Sequence, residues 1–319
     1  MPALARCAVI YNPTKVSDTF EGTLTARLQA DGWQDTLWLE TSADDPGRQM
    51  TAQAVDAGVD LAIGAGGDGT IRIVADGLAG SGIPMGIVPA GTGNLLARNL
   101  RLPLVEEEAI DVILRRHTRT IDLVKVSVDG ADEGEYFAVM AGMGVDAMIM
   151  DETNPDLKAK IGSAAYFLAA GKALGRLPMD ITVAVDGRRA RKRRAMLCVI
   201  GNVGELTGNI TLIPEASPDD GRFDVYVASP HRLTHWVRVF VRLITRQRHT
   251  DDQVDQWRGA RVEVRLRHRE NYQLDGDVVG ECTTLLAEIE PGALQVCVRE
   301  EMRPAEDTPS GAHRAVDGG

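Results

Sequence analysis

The sequence predicts an N-terminal α/β domain with a parallel-type sheet and a C-terminal β-sandwich domain, on three observations. Up to about residue 120, short apolar runs ended by turn residues alternate with helix-period patterns, which pairs strands in parallel. Two glycine-rich turns close successive runs there, Gly66-Gly67-Asp68-Gly69-Thr70 and Pro89-Ala90-Gly91-Thr92-Gly93-Asn94. Beyond Ile121 the rhythm changes to β runs punctuated by Asp-Gly turns, the pattern of a sandwich.

The first domain is expected over 1–122, with strands at 7–11, 36–39, 61–65 and 85–88. Met1 to Asn12 holds one arginine and a short apolar stretch, which reads as a first buried strand and not as a signal peptide. Ligands of parallel sheets gather at the carboxyl ends of strands. Asn12-Pro13-Thr14-Lys15, Thr41, the turn at Asp68 and the turn at Thr92 all fall at such ends, so one cleft can collect them. The second domain is expected over 123–302. Its runs at 121–128 and 136–141 flank Asp129-Gly130, and the run at 181–185 precedes Asp186-Gly187. Further runs lie at 195–200, 223–228, 261–267 and 293–298, the last expected to return to the first domain. Helical patterns at 157–174 and 233–245 interrupt the strands. Residues 303–319, rich in Pro, Gly, Ser and Asp, are expected to form a disordered tail.

With 319 residues, 44% hydrophobic and 25% charged, the chain suits about two domains with real cores. Its formal charge of −11 argues against nucleic acid as a partner. No apolar run reaches the roughly 18 residues that cross a bilayer. Cys7, Cys198, Cys282 and Cys297 are widely spaced without a CxxC pair, as expected of reduced core thiols in a cytoplasmic protein.

Glycines at the end of a buried strand let the backbone bring its N–H groups against phosphate oxygens, and the following helix adds its positive end. Two such turns at consecutive strand ends point to a nucleotide cleft. The pattern GxxxxGK[ST] is absent, because no lysine follows these glycines. Gly64-Ala65-Gly66-Gly67-Asp68-Gly69 satisfies GxGxxG, but the ribose-binding acid expected about twenty residues later is missing; the next strand reads Ile83-Pro84-Met85-Gly86-Ile87-Val88. Asp68 is placed to hold a magnesium ion or its water beside phosphates, or to act as an Asx-turn or cap for the helix starting at Thr70.

Taken in order, Asn12-Pro13-Thr14-Lys15, GGDGT at 66–70, PAGTGNLLARNL at 89–100, Ile121-Asp122-Leu123, Ala141 to Ala147, Gly201-Asn202, Pro214 to Gly221 and Leu274-Asp275-Gly276-Asp277 resemble the diacylglycerol kinase catalytic fold. That family includes bacterial lipid kinases and sphingosine kinases, and the resemblance covers nearly the whole chain. It implies an α/β nucleotide domain, a sandwich carrying the lipid site, and ATP in the cleft between them. Carried over by position, the nucleotide contacts are Asn12, Pro13, Thr14, Lys15, Val16, Thr41, Gly66, Gly67, Asp68, Gly69, Thr70, Ile71, Arg72 and Thr92. Asp277, where relatives usually carry glutamate, is implied as the general base for the lipid hydroxyl; a plain hairpin turn is the alternative. Ser217, Asp220 and Arg222 match a structural Mg2+ site of two backbone carbonyls and one carboxylate, or an ordinary acidic turn. Asp122 is implied to join Asp68 in a network around Mg2+.

Two departures bear on the site. Arg72 and Ile73 stand where many relatives have asparagine and glutamate, and Leu95 stands where many have an aspartate joining Asp68 and Asp122. The expectation is an ATP- and Mg2+-dependent lipid kinase acting on diacylglycerol or a related lipid, cytoplasmic with peripheral contact at the inner membrane face. An NAD kinase-like enzyme and a non-catalytic nucleotide or lipid sensor of the same fold are the alternatives. For membrane contact, Leu233, Trp236, Val237, Phe240 and Ile244 share a helical face opposite His235, Arg238, Arg242 and Arg246. Arg188, Arg189, Arg191, Lys192, Arg193 and Arg194 cluster beside a hairpin turn. Core packing and a solvated hairpin explain the same patterns. His231 and His235 are spaced i, i+4 without a third ligand, and no pattern specifies an oligomeric state.

Overall fold

Up to Leu114, strand and helix alternate in the computed structural model of the chain, which describes residues 5–144, 177–206, 210–211, 216–229 and 254–302. The elements are β1 (Arg6–Tyr11), α1 (Phe20–Ala30), β2 (Asp35–Glu40), α2 (Arg48–Asp56), β3 (Leu61–Gly66), α3 (Asp68–Leu78), β4 (Met85–Pro89), α4 (Leu95–Asn99) and α5 (Glu106–Leu114). The four strands pair in parallel in the order β2-β1-β3-β4. Side chains along β1 alternate between two cores: Cys7 and Val9 meet Phe20, Leu24 and Leu28 of α1 and Ile110 of α5, while Ala8 and Ile10 meet Ala54 of α2 and Val74 of α3. A strand covered on both faces has no polar side, which is why these runs read as unbroken apolar segments. Each fully buried Leu or Phe contributes roughly 1.5–3 kcal/mol, so Phe20, Leu24 and Leu28, all at 1% exposure or less, seat α1.

The rest is antiparallel. It comprises β5 (Thr118–Val128), β6 (Glu135–Phe137), β7 (Met140–Gly144), β8 (Met179–Val185), β9 (Arg191–Ala195), β10 (Leu197–Gly201), β11 (Glu205–Leu206), β12 (Ile210–Thr211), β13 (Phe223–Ala228), β14 (Val254–Gly259), β15 (Arg261–Leu274) and β16 (Asp277–Cys297). These strands enclose a second core that includes Val124, Ile181, Val183, Ile200, Phe223, Val225, Val262 and Leu285. The hairpin turns Asp129-Gly130, Asp186-Gly187 and Asp275-Gly276 have positive φ at both residues, as a type I′ turn requires.

β16 is continuous through both halves. Its first part pairs with β15, its later part with β5, and Val296 pairs in parallel with Met85 of β4. The β5 register shifts between Glu290 and Leu294, and Gly292 there has φ 65°, the left-handed conformation that lets a long strand bend. Asp122, 3% exposed, pins this bend. Its carboxylate accepts from the amides of Gly292 (2.8 Å) and Gly221 (2.7 Å), and its own amide donates to the Pro218 carbonyl at 2.6 Å.

The structure corrects the strand boundaries in three places. The run 136–141 is two strands separated at Ala138-Val139, because the amides of Ala138, Val139 and Met140 all donate to the carboxylate of Asp275. The run 195–200 breaks at Met196, whose amide donates to Ala228 while β9 pairs with β8 and β10 pairs with β7 and β13. The runs 261–267 and 293–298 are parts of β15 and β16, whose bulges and bends interrupt the alternation that would reveal their length. The helical patterns at 157–174 and 233–245, His231, His235 and the tail 303–319 lie outside the described residues.

The four cysteines are buried free thiols in strands, and burial pushes Cys7, Cys282 and Cys297 up to about 12. Among the described residues no helix is long and apolar enough to cross a membrane.

Replacing Asp122 by alanine leaves two amides without their acceptor. An unsatisfied buried group costs about 1–3 kcal/mol, so Asp122→Ala should lower the urea midpoint by an amount equivalent to at least about 2 kcal/mol. Asp132→Ala, at an exposed position, should leave the midpoint unchanged.

Candidate active site

The carboxyl ends of adjacent strands bring the expected nucleotide residues to one edge of the parallel sheet. After β1, the Asn12 amide donates to Ala65 at the end of β3, and the amides of Lys15 and Val16 donate back to the Asn12 carbonyl. Asn12 Oδ1 accepts from the amide and hydroxyl of Thr14 (3.0 and 2.8 Å), closing an Asx-turn that leaves Pro13, Thr14 and Lys15 exposed. The Thr41 amide donates to Tyr11, and the Ala90 amide to Gly66. Thr41 is 4% exposed, and its Oγ1 has no hydrogen-bond partner among the described residues. A buried hydroxyl left without a partner is rare and calls for an explanation. Thr92 is exposed in the loop after β4.

The two glycine turns touch. A Cβ on Gly91 would lie 2.7 Å from Gly67 Cα, a distance that only glycine permits. A Cβ on Gly67 would meet nothing nearer than Gly91 Cα at 3.6 Å, an ordinary contact, so a Cβ fits there without a clash. Gly67 is the N-cap of α3, where free amides and the helix dipole favour an anion. Thr70 packs beneath Gly66. Ile71 turns into the core at 6% exposure and gives its amide to Gly67, so it offers no polar group to a nucleotide.

Asp68 is a cap, but of the other helix. Oδ2 accepts from the Asn94 amide (2.9 Å) and Oδ1 from the Leu95 amide (2.6 Å), so the first turn's acid holds the start of α4. The Asn94 side chain exchanges two hydrogen bonds with Gly91. Burial raises the Asp68 carboxyl above the ordinary carboxylate range; the Leu95 and Asn94 amides work against this and the charge of Asp277 adds to it.

Asp277 arrives from the second half. The turn Asp275-Gly276 joins β15 to β16, and the fully buried Asp275 carboxylate accepts from the amides of Ala138 (2.9 Å), Val139 (2.9 Å) and Met140 (2.8 Å). The Asp275 amide donates to Met140 in return. Burial pushes Asp275 up to about 6, with the three amides and then Arg72 drawing it back. With the turn so clamped, Asp277 Oδ2 lies 2.6 Å from where a Gly69 Cβ would stand. The Asp277 side chain is half exposed, and Oδ2 is 3.9 Å from Arg72 Nε. Arg72 Nη1 donates to Glu135 Oε2 at 2.8 Å. Arg48 approaches Glu135 at 3.6 Å and pairs with Asp76 at 3.0 Å.

Asp122 spends one acceptor position of each carboxylate oxygen on the Gly221 and Gly292 amides, and among the described residues it shares no hydrogen-bond partner with Asp68. In the 217–222 turn the Ser217 hydroxyl donates to Asp219, which Arg119 grips through two nitrogens. Asp220 accepts from Arg258 Nη2 and from the Arg222 amide. The carboxylate of the Mg2+ site expected at Ser217, Asp220 and Arg222 is thus held by the Arg258 guanidinium. No group of three or more His, Cys, Asp or Glu that could hold a metal occurs among the described residues. Asp68 does fit one Mg2+ contact: among the described residues no cation pairs with it, and each oxygen accepts one amide where it has room for about two donors. The basic 188–194 cluster forms the β8–β9 hairpin, with Arg193 paired to Asp255 and Arg194 to Asp180.

Sequence reasoning missed the clamp at Asp275 and the Glu135, Arg48 and Asp76 chain. The doubled Asp in Asp275-Gly276-Asp277 was the available signal for the clamp; the chain left none.

The family model described as the diacylglycerol kinase catalytic domain matches residues 6–126, and the YegS C-terminal NAD kinase beta sandwich-like domain matches residues 139–298. Diacylglycerol kinase of Mycobacterium tuberculosis (strain CDC 1551 / Oshkosh) is 32% identical over 253 residues, 78% of this chain and 80% of that protein. The chain belongs to the diacylglycerol kinase family. Another relative is diacylglycerol kinase of Bacillus subtilis (strain 168), 29% identical over 87% of this chain and 91% of its own length. Among solved structures, a diacylglycerol kinase from Bacillus anthracis str. Sterne superposes with TM-score 0.68 at 21% identity, covering 95% of this chain and 100% of that one. An NAD kinase from Archaeoglobus fulgidus in complex with ATP reaches TM-score 0.52 at 14% identity, covering 93% and 95%. These two likenesses concern the fold alone. Together with the family match they carry the two-domain architecture: a parallel-sheet catalytic domain and a β-sandwich.

The room for a Cβ at Gly67 yields a direct test. Gly67→Val should fold normally by circular dichroism, because its Cβ meets no close neighbour, yet lose ATP affinity at least tenfold by isothermal titration. Unchanged affinity would show that this turn does not receive the phosphates. Gly91→Ala, by contrast, should lower both stability and affinity, since its Cβ strikes backbone.

Proposed function

We propose that this protein is an ATP- and Mg2+-dependent lipid kinase that transfers the γ-phosphoryl group to the hydroxyl of diacylglycerol or a related lipid. The observation that carries the proposal is the seat of Asp277: a half-exposed carboxylate from the sandwich, held against the glycine turn that opens α3. Phosphoryl transfer requires positioning and charge neutralisation more than covalent assistance. The amides at Gly67 to Gly69 and the start of α3 supply donors for phosphate oxygens, and Asn12 to Val16, Thr41 and Thr92 line the same edge for the rest of the nucleotide. A Mg2+ ion held through Asp68 would neutralise phosphate charge and orient the transferring group.

Asp277 takes the acceptor hydroxyl's proton as that oxygen attacks. Aspartate reaches one methylene less far than the glutamate usual in relatives, and the absence of a side chain at Gly69 leaves the room that Asp277 Oδ2 occupies. Its relatives in Bacillus subtilis and Mycobacterium tuberculosis are diacylglycerol kinases, which favours diacylglycerol as acceptor. A lipid acceptor implies work at a membrane surface, with peripheral contact at the inner face of the cytoplasmic membrane.

The test offers purified protein, labelled ATP and Mg2+ to a panel of diacylglycerol, ceramide, sphingoid base, undecaprenol and NAD. A phosphorylated lipid is expected, with turnover abolished by chelation. Asp277→Asn should reduce turnover at least about a hundredfold, the usual scale for a lost general base, with ATP affinity nearly intact. Phosphorylated NAD, or ATP binding without turnover on any acceptor, would overturn the proposal; full activity of Asp277→Asn would put the base elsewhere.

A further inference from the structure

Arg72 is a buried cation in the second turn of α3. The residue is 6% exposed, and a guanidinium withdrawn this far from water must be paired and hydrogen-bonded or it is costly. Glu135 takes Nη1 at 2.8 Å, and Arg48 and Asp76 extend the chain of charges behind Glu135. Nε is different. It is buried and has no hydrogen-bond partner among the described residues, and its 3.9 Å separation from Asp277 Oδ2 is beyond hydrogen-bond reach. The Glu135 contact therefore holds the guanidinium in place while one donor remains unused on the side facing Asp277.

Gly69 and Arg72 are three residues apart on one helix and share a face. Asp277 lies over both: 2.6 Å from the Gly69 Cβ position and 3.9 Å from Arg72 Nε. The acceptor oxygen gives its proton to Asp277 while attacking the terminal phosphorus, so in the proposed reaction the phosphate nearest Asp277 is the transferring one. Local charge agrees. Asp68, Asp277, Glu135 and Asp76 are acidic, and Arg72 and Arg48 are the cations the structure sets among them.

We propose that Arg72 is a phosphoryl-positioning cation whose Nε N–H donates to an oxygen of the terminal phosphate of ATP, with Glu135 as the residue that positions it. This rests on the lipid kinase reading above. The contact is specific to the third phosphate, so ATP and ADP feel it differently.

The test is isothermal titration of ATP and of ADP, each with Mg2+, into the full-length wild type and the Arg72→Met, Arg72→Lys and Glu135→Gln variants, with kcat and KM measured alongside. Arg72→Met should weaken ATP at least tenfold and ADP less than twofold, and should lower kcat. Arg72→Lys should recover part of the ATP affinity, and Glu135→Gln should change the ATP-to-ADP ratio in the direction of Arg72→Met but less. If Arg72→Met does not fold, the other two variants carry the same comparison. Equal losses for ATP and ADP, or an unchanged ratio in every folded variant, would overturn the proposal and assign Arg72 to packing. Wild-type protein that phosphorylates no lipid would sink the kinase reading itself, a result separable from an active wild type whose variants keep the ratio.

Discussion

The buried carboxylate of Asp275 is the contact on which the site depends. It accepts three consecutive backbone amides from Ala138 to Met140, a satisfied arrangement for a group that would otherwise be costly in the interior. Those amides cannot simultaneously serve a strand ladder, so the chain breaks between β6 and β7 there. The carbonyls of the break are used as well: Asn202 Nδ2 donates to Ala138, the Asn202 amide to Val139, and the Asp275 amide to Met140. With the amides and carbonyls of Ala138 to Met140 all engaged, the turn that follows β15 is held at the crossing and delivers Asp277 to the start of α3.

Two further constraints keep the halves in register. β16 runs from Asp277 to the edge of the parallel sheet at Met85, so the strand that begins at the proposed base ends as a neighbour of the strand that carries the second glycine turn. Asp122 fixes the bend along the way. On the opposite side, Asp68 locks one glycine turn to the other through the Asn94 and Leu95 amides. The two glycine turns are therefore tied to each other without a ligand, and a phosphate bound there as proposed would meet a preformed site at a lower entropy cost.

What was legible in the sequence was local. Buried strands ended by glycine turns, Asp-Gly hairpins and the edge position of Asn12, Thr41 and Thr92 follow from patterns a few residues long, and the structure has them. The strand breaks at Ala138 and Met196 were invisible because their causes lie far away, in Asp275 and Ala228. Asp68 could be read as a site residue from GGDGT, yet its amide partners lie 26 and 27 residues downstream, so no spacing rule distinguished a cap of its own helix from a cap of α4. Arg72 was legible as a departure from the family pattern, whereas its partner Glu135 sits 63 residues on in an otherwise ordinary polar hairpin.

The most direct measurement is hydrogen exchange of the Ala138, Val139 and Met140 amides in the wild type and in Asp275→Asn, alongside phosphoryl transfer by the same two proteins. The account predicts protected amides in the wild type, and loss of both protection and turnover in a variant that stays folded. Turnover at the wild-type rate with those three amides exchanging freely would contradict it, because Asp277 would then be positioned by something other than the Asp275 clamp.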